Sequence, residues 1–340
     1  LPVVVSADSP IGMVYDQVAG YAAKWNESNS EEATYVSEDE DYAAYSMALM
    51  PTEPVVAATF NKELIKREGE LMGEDSLWSN VSLIQAPGLN LHRTPYCSRN
   101  HEYYSEDPVL TGFMGTAFSA GAEAKGLIAQ VKHFAFNHQE SNRAGLSTFF
   151  SEQGGRENEL RGFQIALKDN TATSVMTAFN RIGTEFSGAS KGLLEQILRE
   201  EWDYEGFVYT DMVSSPDYMN WRDTIFNGGG CLLAQSIDVY ENSKLGSPSA
   251  STKNIDIIEK DTKFQQAMQQ TLKYYIHGLA DSNAVNGVLA NTKTVYVRTW
   301  WQNTLVGIDV GMGVLVLLSL ALYVKAIAAR KRKVGEHNEE

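Results

Sequence analysis

Cysteine is scarce in this chain: Cys97 and Cys231 are its only two. Two thiols cannot build a disulfide framework, and the count favours two free thiols over a single bridge. Positive charge is also in deficit. Lysine and arginine number 28 against 43 aspartates and glutamates, a formal charge of −15. Phosphate binding needs a cationic face, so a nucleic-acid partner is excluded. Histidines number six, and His133 and His138 lie on no common helical face, with no cysteine or third histidine close by. That spacing supports no metal site. Gly228-Gly229-Gly230 lacks a following Lys-Ser/Thr, so no phosphate-cradling loop is indicated, and nothing calls for a cofactor. The first residue is Leu1 and no charged-then-apolar leader follows, which predicts a processed or truncated piece of a longer chain.

Apolar residues make up 43% of 340 positions, the proportion of a packed globule. The length allows one large domain or two ordinary ones. From Leu305 to Val324 the chain is almost wholly apolar, with Asp309 as the one charge. Such a run matches the ~20 residues that cross ~30 Å of hydrocarbon. Trp300 and Trp301 precede it, and Arg330, Lys331, Arg332 and Lys333 follow, an aromatic flank and a basic stop. We therefore expect a juxtamembrane linker at 291–303, a transmembrane helix at 304–326 and a basic cytoplasmic tail at 327–340. The basic flank predicts a single pass through the cell membrane, with the large N-terminal part outside. A buried core helix is the alternative, and length and both flanks speak against it.

In the N-terminal part, strand-like and helix-like stretches alternate. Leu1 to Ala7 reads as a strand before a turn at Ser9 to Gly12, and the acidic stretch Glu27 to Asp41 reads as an exposed loop. Further strands are expected at Pro54 to Thr59, Val81 to Ala86, Val131 to Phe136, Ser174 to Phe179 and from Phe207. Helices are expected at Lys62 to Met72, capped by Asn61, and at Ala120 to Ala129, Glu157 to Lys168, Lys191 to Glu201 and Lys263 to Leu279. Leu245 to Asn254 reads as a loop. This alternation predicts a parallel (β/α)8-like barrel of the TIM type, incomplete or irregular. In such a barrel the C-terminal strand ends carry the chemistry. Phe207-Val208-Tyr209-Thr210 runs straight into Asp211, a carboxylate placed to act as a nucleophile on a sugar carbon.

Several motifs then stand in a fixed order. They are Ala7-Asp8-Ser9-Pro10-Ile11-Gly12, Pro87-Gly88-Leu89-Asn90-Leu91-His92-Arg93 and Ser98-Arg99-Asn100-His101-Glu102-Tyr103-Tyr104-Ser105-Glu106-Asp107-Pro108. After them come Lys132-His133-Phe134, Asn137-His138-Gln139-Glu140-Ser141-Asn142-Arg143, Ser174-Val175-Met176-Thr177-Ala178-Phe179-Asn180-Arg181 and Leu198-Arg199-Glu200-Glu201-Trp202 through Thr210-Asp211. Over residues 1–290 this set resembles glycoside hydrolase family 3, the β-glucosidase-like enzymes. The resemblance implies a retaining exo-β-glycosidase barrel acting on terminal β-linked sugars, with Asp211 as nucleophile. It implies sugar-gripping roles for Asp8, Arg99, Lys132, His133 and, less directly, Arg143, with Met176 and Met212 lining the same subsite. A pyranose offers several hydroxyls; a carboxylate accepts from them while Arg, Lys and His donate. Arg99 and Lys132 would also favour the ionised form of Asp211.

Each assignment has a plain alternative. Asp8 before Ser-Pro suits a turn residue, Met176 suits a core as well as a ligand, and Arg99, Glu102, Glu106 and Asp107 could form a surface ion-pair group. The chain also departs from the family pattern. Met212 stands where a tryptophan is often found, Phe179 where a tyrosine is common, and Ser98 replaces a glycine. No histidine–aspartate loop pattern appears between His138 and Phe150, which implies the two-domain branch, whose acid/base glutamate belongs to an α/β sandwich domain. That domain is expected upstream or on a separate chain. The alternative function is a catalytically inactive, carbohydrate-binding or scaffolding barrel at the surface.

Overall fold

The computed structural model describes residues 6–8, 49–79, 81–143, 146–212, 218–233, 260–285 and 300–336. The expected turn at Ser9 to Gly12, the acidic loop, the 245–254 loop and most of the 291–303 linker lie outside these residues. The chain divides into two compact units, Leu1–Val288 and Leu289–Glu340.

In the first unit six strands form one sheet in the order β1 (Ser6–Ala7), β2 (Leu83–Ile84), β3 (Ile128–Phe134), β5 (Ser174–Thr177), β8 (Phe207–Met212) and β9 (Cys231–Leu233). Every pairing within it is parallel. The result is an α/β fold on a curled parallel sheet, a half-barrel whose first and last strands are not paired with each other among the described residues. β3 is buried at all seven positions, as a strand covered on both faces must be. A smaller sheet joins β4 (Ser147–Thr148), β6 (Arg181–Ile182) and β7 (Glu185–Phe186).

Helices pack outside the sheet. Asn61 Oδ1 accepts from the backbone N–H groups of Glu63 and Leu64 and starts α2 (Lys62–Ser79), as the sequence led us to expect. Asp107 accepts from Leu110 N–H and Pro108 fills the first turn of α3 (Pro108–Glu123). α2 and α3 cross closely: a Cβ at Gly121 would collide with the Lys66 carbonyl oxygen, and one at Gly69 with the Phe118 carbonyl. The buried core lies between these helices and the sheet, with Ile65, Met72, Phe118, Phe134, Phe163 and Val175 among its members.

Two elements differ from the sequence reading. Pro54 to Thr59 is not a strand: Glu53–Ala57 forms a short helix, α1, with Pro54 in its first turn, where a missing N–H costs nothing. The helix expected at Ala120 to Ala129 begins earlier, at Pro108, and ends before Gly126, whose φ of 77° turns the chain into β3. The others fall near their expected places. α4 (Arg161–Leu167) follows a wider turn at Gly155–Glu159, α5 (Gly192–Glu201) is wide-wound throughout, and α6 (Trp221–Phe226) precedes β9. α7 (Thr262–Ala280) buries Phe264 and Leu279 but leaves Met268, Leu272 and Ile276 exposed, so much of its expected apolar face meets no partner among the described residues. Cys97 and Cys231 are both free thiols.

The second unit contains α8, Trp300–Glu336. Its stretch Asn303–Ile327, 25 residues with a mean hydropathy of 2.3, is long and apolar enough to cross a membrane by length and composition.

Candidate active site

The parallel sheet brings its C-terminal strand ends together, and Asp8, Arg99, Lys132, His133, Arg143 and Asp211 gather there. β1 ends at Ala7 and delivers Asp8. β3 carries Lys132 and His133, β5 carries Met176, and β8 carries Asp211 and Met212. Arg99 comes from the chain between β2 and α3. It reaches the sheet because Gly88 allows close approach: a Cβ there would collide with the Glu102 carbonyl oxygen.

Charged groups pair across this face. Lys132 Nζ lies 2.6 Å from Asp8 Oδ1 and 3.4 Å from Glu102 Oε2. Arg99 grips Glu102 with two bonds, Nε to Oε1 at 2.6 Å and Nη2 to Oε2 at 2.8 Å. Burial alone would raise the Glu102 carboxyl, but the Arg99 hydrogen bonds and the Lys132 charge overcome it and bring it down to about 2. Arg143 Nη1 stands 3.0 Å from Glu140 Oε2, and its guanidinium lies over the Phe179 ring at 4.1 Å. Glu140 also accepts from Asn137 Nδ2 at 3.1 Å and lies 3.9 Å from Arg99 Nη1. Two ion networks thus meet at Arg99.

Asp211 faces them. Its Oδ1 accepts from the Met212 backbone N–H at 2.7 Å. Its Oδ2 is buried without a hydrogen bond among the described residues, and His133 Nε2 stands 3.7 Å away. Arg143, Arg99 and Lys132 all pull the carboxyl toward ionisation, the last two as expected. Burial is stronger and pushes it up to about 6. His133 is buried too, and that burial, with Arg99, Lys132 and Arg143 nearby, holds the imidazole well below its ordinary value and hence neutral. Asn90 fixes its backbone, accepting from His133 N–H at 2.8 Å and donating to its carbonyl at 3.0 Å.

Met176 is 2% exposed on β5. Met212 packs on a small apolar cluster of Phe179, Phe186, Ala189 and Met219. The sequence reading did not single out Asn90, Tyr103 or Glu140, and it offered Glu102 only as one member of a surface ion pair. The signals for Glu102 and Glu140 were their places three residues from Arg99 and Arg143; Asn90 and Tyr103 have a partner that is remote in sequence. Among the described residues no group of three His, Cys, Asp or Glu converges as a metal site would. The arrangement sets a carboxylate oxygen without a hydrogen bond among the described residues beside several donors, with a second carboxylate, Asp8, at the edge.

Comparison with known proteins places the chain in a family. Residues 41–223 match the family model described as the glycosyl hydrolase family 3 N-terminal domain. A beta-glucosidase of Ruminococcus albus is 40% identical over 162 residues, covering 48% of this chain and 17% of that protein. Thermostable beta-glucosidase B of Acetivibrio thermocellus is 35% identical over 173 residues, covering 51% and 23%. Among solved structures, beta-glucosidase 3B from Thermotoga neapolitana in complex with glucose aligns with a TM-score of 0.69 at 32% identity, covering 83% of this chain and 36% of that one. The chain spans only about a fifth of the length of these curated relatives.

Proposed function

Because the chain belongs to the family of glycosyl hydrolase family 3 N-terminal domains, we propose that it is the nucleophile-bearing part of a retaining β-glucosidase-like exo-glycosidase, tethered to a membrane. The observation that carries this reading is the free oxygen of Asp211, buried at a strand end and surrounded by Arg143, Arg99 and Lys132. In the forward step Asp211 Oδ2 bonds to the anomeric carbon and the aglycone oxygen departs with a proton. That proton comes from an acid/base glutamate of an α/β sandwich domain, upstream or on another chain. Water then breaks the glycosyl ester, with the same glutamate as base, and frees Asp211. Asp8 accepts from sugar hydroxyls. Arg99, Lys132 and His133 donate to them, Arg143 holds the carboxylate side of the cleft, and Met176 and Met212 supply apolar lining.

Incubating the full-length enzyme with a 2-fluoro β-glucoside and mapping the labelled peptide tests the assignment. Labelling at Asp211 is expected; stable labelling at any other residue refutes it. A second reading, an inactive sugar-binding barrel, draws on Phe179 and Met212, which put no hydroxyl and no indole beside the nucleophile. Titration with small β-linked sugars separates the two: binding without turnover, with the sandwich domain present, favours the second.

The helix over Asn303–Ile327 and the basic Arg330 to Lys333 support a single pass through the cell membrane, with the barrel outside and the C-terminus in the cytoplasm. Truncation after residue 299 is expected to move the chain from the membrane to the soluble fraction. Protease added to intact cells is expected to digest the barrel and spare the tail.

A further inference from the structure

Tyr103 is fully buried, and its hydroxyl has one hydrogen-bond partner among the described residues, His133 Nδ1 at 3.3 Å. The rings meet edge to face with centroids 6.2 Å apart. Burial and the cations Arg99, Lys132 and Arg143 keep the imidazole neutral. A neutral imidazole carries one proton, on Nδ1 or on Nε2.

The two choices are not equivalent here. A proton on Nδ1 could go to Asn90 Oδ1 at 3.3 Å, an oxygen that also accepts from the His133 backbone N–H at 2.8 Å. The Tyr103 O–H would then face no acceptor, and a buried donor without one loses its hydration for nothing. Nε2 would meanwhile turn a lone pair toward Asp211 Oδ2, 3.7 Å away. With the proton on Nε2 both conflicts vanish. Tyr103 donates to Nδ1, and Nε2–H faces, at 3.7 Å, the Asp211 oxygen that has no hydrogen bond among the described residues.

We propose that Tyr103 is a positioning residue whose hydroxyl fixes His133 as the Nε2–H tautomer, so that a neutral imidazole offers a donor to Asp211 and to the sugar hydroxyl bound beside it. The catalytic consequence rests on Asp211 being the nucleophile; the tautomer does not. In the ground state Nε2–H stabilises the carboxylate. Once Asp211 is esterified, the same N–H is released to the sugar.

Nitrogen NMR of the whole 340-residue chain in detergent, labelled at histidine and assigned against His133→Gln, reads the tautomer directly. The expected spectrum has a protonated Nε2 and an unprotonated, hydrogen-bonded Nδ1. In Tyr103→Phe the population moves toward Nδ1–H, and kcat/KM of the full-length enzyme falls roughly ten- to hundred-fold. A protonated Nδ1 in the unaltered chain overturns the proposal, as does an unchanged tautomer in folded Tyr103→Phe. If that variant does not fold, the spectrum of the unaltered chain decides alone. An unaltered full-length enzyme that hydrolyses nothing would end the glycosidase reading and leave the tautomer result standing.

Discussion

Lys132 Nζ and Asp8 Oδ1, 124 positions apart in sequence, meet at 2.6 Å and tie the end of β3 to the end of β1 across β2. The lysine is buried and the carboxylate half exposed, so in the proposed site Asp8 is the more accessible of the pair. On the proposed reading Asp8 turns to a sugar hydroxyl while Lys132 keeps Glu102, 3.4 Å away.

Asp8→Ala should therefore weaken substrate binding far more than it weakens the fold. We expect KM for an aryl β-glucoside to rise about tenfold or more, with kcat less affected. The cost in stability should be smaller than that of removing Glu102, since the lost carboxylate is half solvated and Lys132 keeps Glu102. Steady-state kinetics and urea unfolding on the same preparation check both. An unchanged KM would remove Asp8 from the binding face.

Glu102→Gln should do the reverse and damage the fold first. It leaves Lys132 fully buried and Arg99 mostly so, facing a neutral amide. Breaking such a pair from one side costs about 3–5 kcal/mol. The sign with pH follows from a carboxyl held down at about 2, below its usual 4.5. Its stabilisation is complete above 4.5 and is lost as pH falls through about 2. Urea midpoints of the two proteins should thus lie far apart at pH 7 and approach each other toward pH 3. A gap that does not change with pH would show that the carboxylate charge is not what matters.

These two residues also show what could be seen in the chain before its fold was known. Asp211 stood out as a candidate because an apolar run ends on it, and Lys132-His133 because they are charged and polar residues set inside another strand-like run. Local pattern suffices where a strand delivers the residue. Glu102 was not legible as a site residue, since its burial depends on Gly88 letting a turn approach β3 from another part of the chain. Asn90 and Tyr103 were missed for the same reason: each acts on His133, more than twenty positions away. Pro54-Val55-Val56 misled because β-branched residues suggest a strand, whereas a proline in the first turn suits a helix equally well.

Asp211→Asn should abolish turnover and, at neutral pH, stabilise the protein. Burial raises this carboxyl from 3.8 to about 6, a penalty on the ionised folded form of roughly 3 kcal/mol. A carboxyl raised in this way contributes stability that is present below 3.8 and lost as pH rises through about 6. The neutral amide escapes that loss and can still accept from Met212 N–H. The variant should unfold at higher urea than the unaltered chain at pH 7.5, and the advantage should shrink toward pH 4. A less stable variant at pH 7.5 would mean that the surrounding cations outweigh burial.

Arg143→Gln should move the acid limb of the kcat/KM profile upward. On the proposed mechanism turnover needs an ionised Asp211, so activity should fall as pH drops through about 6. Arg143 is the leading cation opposing the rise of that carboxyl, ahead of Arg99 and Lys132. Its removal favours the protonated form, and the limb should shift to higher pH by up to about one unit. Phe179 holds the guanidinium from below through its ring face, at 4.1 Å. Phe179→Leu, which keeps the arginine but removes the ring, should shift the limb in the same direction by less. The pH dependence of aryl glucoside hydrolysis by the full-length enzyme and both variants measures this. A limb that stays in place in Arg143→Gln would separate Arg143 from the nucleophile and leave it only its pairing with Glu140.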